Sequence, residues 1–81
     1  MNIYLLSQNV NNGYDSFDSV VVYANSEEEA RQIHPESHSR YGWGSKWQSW
    51  ADYPDQVKVE LLGTASGHEE SGIILASFNA G

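Results

Sequence analysis

The sequence predicts a single α+β domain over residues 1–81: β-β-α-β-β, one four-stranded antiparallel sheet with one short helix on one face, and an aromatic-rich loop. Three observations predict it. Two apolar, β-branched stretches flank an Asn-Gly pair near the start, a helix-capping sequence follows them, and two more strand-like stretches close the chain.

The first strand spans residues 2–8, with Ile3 and Leu5 on one pleat face and Tyr4 and Leu6 on the other. Asn12-Gly13 then signals a type I′ hairpin turn, because Asn and Gly tolerate the positive φ that turn needs. That turn sets Leu5 opposite Val20, Ile3 opposite Val22 and Tyr4 opposite Val21, all of them apolar pairs. The second strand runs over residues 17–24 around Val20-Val21-Val22. Both faces of this hairpin are apolar, so a helix can cover one while the other needs a further cover.

Ser26-Glu27-Glu28-Glu29 reads as a capping box, Ser26 accepting from the Glu29 amide and Glu29 reaching back to the Ser26 amide. Ala30 and Ile33 give a short apolar stripe, and Pro35 disfavours helical geometry at His34. A helix of about two turns cannot stand alone and must lean on the sheet. Between Pro35 and Pro54 the composition changes: Tyr41, Trp43, Trp47, Trp50 and Tyr53 are interleaved with Gly42, Gly44 and serines. The tryptophans sit at i, i+4 and i+7, one face of a helix, but Gly44 weakens that pattern. A loop with one helical turn within residues 45–52 is expected.

The last third reads as a second hairpin. Val57, Val59 and Leu61 alternate with Lys58 and Glu60, residues 66–72 form a polar turn, and the apolar run from Gly72 to Phe78 suggests a central strand.

Composition narrows the function classes. Four Lys plus Arg against eleven Asp plus Glu leave a net charge of −7, which repels DNA and RNA polymers. No stretch approaches a membrane span and the N-terminus does not read as a signal peptide, so no membrane partner and a cytoplasmic location are expected. Cysteine is absent, which fits a reducing compartment and excludes disulfides as reinforcement. A chain this short buries only about 60–65% of its unfolded surface. A homo-oligomer is therefore expected to supply the missing burial.

The aromatic segment is the candidate site. Tyr41, Trp43 and Trp47 offer flat faces for a base, while Arg40, Lys46 and the helical Arg31 offer charge for phosphate. Asp18, with Ser16 on the same strand face, could hold a ribose hydroxyl, although Asp and Ser in a turn often satisfy nearby amides instead. The tryptophans have a competing use as core, capping the open sheet face. Phe78 and Asn79 could line a pocket or complete a subunit interface. His34 and His38 are four apart, but Pro35 breaks the helix that would align them, and no third ligand is evident. No metal, cofactor, nucleophile elbow or phosphate loop is indicated, and binding without catalysis is expected.

Four segments together resemble a family of short phage and prophage proteins: Asn-Asn-Gly-Tyr-Asp-Ser-Phe-Asp-Ser (11–19), Ser-Glu-Glu-Glu-Ala-Arg-Gln-Ile-His-Pro (26–35), Val-Lys-Val-Glu-Leu-Leu-Gly-Thr-Ala (57–65) and Gly-Ile-Ile-Leu-Ala-Ser-Phe-Asn-Ala-Gly (72–81). The resemblance carries no catalytic motif and transfers no functional residues. It implies a phage accessory protein in the cytoplasm of an infected bacterium. By analogy of size and origin it also implies a counter-defence protein that sequesters a cyclic nucleotide or cyclic ADP-ribose signal. An inhibitor that docks on a host defence enzyme, and an accessory phage module with no defence role, are the alternatives.

Overall fold

In the computed structural model, which describes residues 1–36, 42–67 and 71–79, four antiparallel strands form one sheet. The strands are β1 (Asn2–Ser7), β2 (Ser16–Ala24), β3 (Lys58–Thr64) and β4 (Gly72–Asn79), in the order β3-β1-β2-β4. The helix α1 (Glu27–Arg31) packs across β1, β2 and β3. The α+β class and the β-β-α-β-β order are those expected.

The first hairpin forms, but in a register one residue away from the Asn-Gly expectation. Tyr4 lies opposite Val22, Leu5 opposite Val21 and Leu6 opposite Val20. The positive φ falls on Asp15 (60°) and not on Gly13, so Asn12-Gly13 is no type I′ turn. A wider loop is organised instead by the buried side chain of Gln8. Its Oε1 accepts from the amides of Val10 (3.0 Å) and Asn11 (2.8 Å). Its Nε2 donates to the carbonyls of Asn11 (2.7 Å) and Phe17 (2.9 Å). Four hydrogen bonds from one amide outweigh the local turn preference, and the slip changes which side chains share a face.

One face now carries Tyr4, Leu6, Val20 and Val22, all buried; the other carries Ile3, Leu5, Val21 and Tyr23. Ala30 of α1, Trp50, Ala51 and Val57 complete a single core cluster on the first face. Trp50 has 0% exposure and is the largest wholly buried side chain. The aromatic segment thus covers the same face as the helix, not the opposite one.

The expected second hairpin does not form. β3 pairs with β1 and β4 with β2, so the two last strands occupy opposite edges and β4 is not central. Two contacts fix this arrangement. Met1 and Ala65 exchange hydrogen bonds of 3.0 and 2.7 Å, which extends the β1–β3 pairing beyond the strand ends. Phe78 meets Phe17 across β2 and β4, with ring centroids 4.8 Å apart. Of the three β3 residues expected inward, Val57 is buried and Val59 packs on the core, while Leu61 is 60% exposed on an open edge.

Local capping matches the sequence closely but not completely. Ser26 Oγ accepts from the Glu29 amide at 3.1 Å. The Glu29 carboxylate instead accepts from the amide and side chain of Asn25, one residue before the expected partner. The helix is five residues long, shorter than the two turns expected. Residues 45–52 contain no helical turn; a 3-10 turn forms later, at Pro54–Gln56. Gln56 Oε1 caps it by accepting from the amides of Asp52 (2.9 Å) and Tyr53 (3.2 Å). Proline at the first position of that turn supplies the right φ and lacks an amide that would need a partner.

Trp50→Ala should remove about 3–5 kcal/mol, the cost of deleting a buried indole. Small domains hold only about 5 kcal/mol or slightly more, so urea titration should show a lost or barely cooperative transition. Trp47→Ala, at a 69% exposed position, should move the midpoint little.

Candidate functional site

Residues 42–52 are placed by hydrogen bonds rather than by secondary structure. Asn11 Nδ2 donates to the carbonyls of Gln48 (2.7 Å) and Trp50 (3.3 Å), and the Phe17 amide donates to the Ser49 carbonyl at 2.8 Å. These bonds tie the segment to the first hairpin and drive Trp50 inward. At its beginning, Gly42 O accepts from the Ser45 amide (3.1 Å) and from Gln48 Nε2 (3.2 Å). Gly44 takes φ 78°, a conformation that L side chains adopt only with strain.

His34 anchors the same segment from the helix side. Its Nδ1 accepts from the Glu36 amide at 2.9 Å, which leaves the proton on Nε2 to donate to Gln48 Oε1 at 2.6 Å. The ring is buried and meets Trp43 edge-on, with centroids 4.8 Å apart. Burial pushes the imidazole pKa below its ordinary value, against the opposing influence of the Gln48 hydrogen bond and the Glu36 carboxylate. His34 is therefore a neutral structural hub.

Beside this segment lies an open cleft of about 350 Å³, lined by Asp15, Glu36, Trp47, Ser49 and Phe78. That volume is at the small end of the usual range for ligand sites. Trp47 is 69% exposed, and Lys46 Nζ sits 5.5 Å from its ring centroid. Ser49 is buried, yet among the described residues its Oγ has no hydrogen-bond partner; the same holds for Trp50 Nε1. A buried polar atom left unpaired costs about 1–3 kcal/mol. Ser49 lines the cleft as a residue, but its hydroxyl is buried beneath the surface.

The six aromatic and basic residues expected at the site divide into three groups. Trp47 lines the cleft, and Lys46 lies against its ring without lining the cleft itself. Trp43 does not line it: its ring packs on the core and His34, and its Nε1 donates to Gln32 O at 2.9 Å. Arg31 is held by Glu28 (2.9 Å) and Glu27 (3.8 Å) within its own helix, and its Nε reaches Val57 O at 3.4 Å. Arg40 and Tyr41 lie outside the described residues, as does His38.

The seventh, Asp18, is exposed on β2 near a bulge between Phe17 and Ser19, away from the buried Ser16. Strand alternation fails there, so Asp18 and Ser16 do not share an exposed face. Ser16 Oγ donates to Gly13 O at 2.5 Å, which is the turn chemistry weighed for that residue.

No sequence pattern points to Asp15, Glu36 and Ser49 as cleft residues. Asp15 left one trace, since Asp is among the few residues that tolerate a left-handed turn position. Phe78, expected to line a pocket or complete a subunit interface, lines the cleft. No protein-family model, curated protein or solved structure matches this chain.

The neutral His34 ties stability to pH. Its folded pKa lies below the unfolded value near 6.5, so the unfolded state binds the extra proton first. Its contribution is complete above about pH 6.5 and declines as pH falls toward the lowered folded value. Urea midpoints measured through this range should drop on acidification, and His34→Gln should flatten that part of the profile.

Proposed function

We propose that this chain is a non-catalytic binding protein whose cleft holds the base of a nucleotide-derived signal. In the phage setting that the resemblance implies, it would sequester a cyclic nucleotide or cyclic ADP-ribose immune signal. The exposed Trp47 ring beside a cleft that also offers two carboxylates carries this proposal. A base stacked on Trp47 gains about 1–3 kcal/mol. Asp15 and Glu36 accept from base amino groups or ribose hydroxyls.

The same carboxylates repel phosphate, so phosphates would point outward toward Lys46. Arg31, committed to two glutamates and a carbonyl, is a poor phosphate ligand. This differs from the sequence expectation, which spread phosphate contacts over three cations. His34, the one histidine among the described residues, has both ring nitrogens engaged and is poorly suited to general base work. That supports binding without turnover. A net charge of −7 still disfavours a polynucleotide partner. Among the described residues no helix is long and apolar enough to cross a membrane.

A second use of the surface is favoured by the exposure of Tyr14 (77%), Trp47 (69%) and Tyr53 (65%). Tyrosine and tryptophan dominate interface hot spots, so a host defence enzyme could be the partner instead.

Isothermal titration of the full chain with a panel of cyclic dinucleotides and cyclic ADP-ribose isomers tests the proposal. At least one compound should bind without being consumed, and Trp47→Ala should weaken it by about tenfold or more, the worth of a stacked base. Heat from none of them would overturn it. A stoichiometric host protein recovered with the wild type but not with Trp47→Ala would favour the second use.

A further inference from the structure

The sheet has a second face, and its composition is legible row by row. Paired residues in adjacent antiparallel strands share a face. Glu60, Leu5, Val21 and Leu75 therefore form one continuous row across β3, β1, β2 and β4. The neighbouring row is Lys58, Ser7, Ser19 and Ser77, and Ile3 adds apolar surface on the other side. Both α1 and Trp50 belong to the core on the opposite face, and among the described residues no helix packs here. Leu75 is 67% exposed and Leu5, Val21 and Ile3 are partly exposed.

We propose that this face is the contact between two copies of the chain, packed sheet on sheet. The distribution of charge favours a second copy. In these rows Lys58 and Glu60 both sit on the edge strand β3, while the middle strands contribute Leu5, Val21, Ile3, Tyr23 and small hydroxyls. A two-fold axis running along the strands, between β1 and β2, lays the apolar row of one copy on that of the other. Leu5 then packs on Val21 of the second copy, and the charges fall at the two rims. An apolar centre with a charged rim is the usual anatomy of such a contact.

The area is adequate. Four strands about 4.8 Å apart, each about six residues long at about 3.3 Å per residue, outline a face of roughly 20 Å by 20 Å. Two such faces with their side-chain relief bury on the order of 1,000 Å², the threshold for a specific interface. The dimer is therefore weak, and it joins two copies that each carry −7, so salt should tighten it.

Sedimentation equilibrium of the full chain, from micromolar to near-millimolar protein, tests this. The mass should rise from 9.1 kDa toward twice that value with concentration, at lower concentrations in higher salt. Leu75→Glu places a carboxylate beside Glu60 of the second copy and should raise the dissociation constant at least tenfold. Val21→Thr keeps the β-branched shape and should raise it several-fold, and it serves should the first variant fail to fold. A monomer at every concentration and salt would overturn the proposal, leaving the face to a different protein. Association unaffected by either variant would also overturn it, placing the contact elsewhere.

Discussion

Trp50 closes the covered face of the sheet, and it is delivered there by a loop. A five-residue helix contributes one wholly buried residue, Ala30, which cannot seal four strands. The indole fills the remaining space among Tyr4, Leu6, Val20 and Val22. That placement depends on hydrogen bonds to the loop's carbonyls from the Asn11 side chain and the Phe17 amide, and on the His34–Gln48 pair, none of them a helix or sheet bond. Hydrophobic burial supplies the driving force, and these polar contacts select which indole goes in.

One consequence is a division of labour among three tryptophans that are close in sequence. Pinning Gln48 and Ser49 fixes a non-helical path in which Ser49, Trp50 and Ala51 are buried and Trp47 stays outside. Trp43 takes an intermediate role, bracing His34 and bonding Gln32 O. The other consequence concerns the sheet. Because helix and loop both lie on one side, the Leu5–Val21–Leu75 row on the other keeps exposed apolar surface. The exposure of Trp47 beside the cleft and the apolar back face thus share one origin.

Much of the fold was legible in the sequence. Strand alternation located β1, β2 and β3, and Ser26 with Glu29 located the helix, because these signals are local and of the right period. The register, the strand order and the role of each tryptophan were not legible. Register was decided by the amide of Gln8, a residue whose type gives no hint that it will hold four hydrogen bonds. Strand order followed from non-local pairings, Met1 with Ala65 and Phe17 with Phe78. The i, i+4, i+7 spacing of the tryptophans had no helix to act through. Of the site, Trp47, Lys46 and Phe78 could be read from residue type. Asp15, Glu36 and Ser49 reach the cleft from three distant segments, which no spacing rule connects.

The unequal burial of the indoles is the claim on which the cleft and the core both stand. Hydrogen exchange of the three indole N–H groups, followed by ¹H–¹⁵N NMR on the unliganded protein, measures it directly. The Trp50 signal should exchange slowest, Trp43 should be intermediate through its bond to Gln32 O, and Trp47 should exchange at the rate of free indole. A Trp50 signal as fast as that of Trp47 would contradict the account.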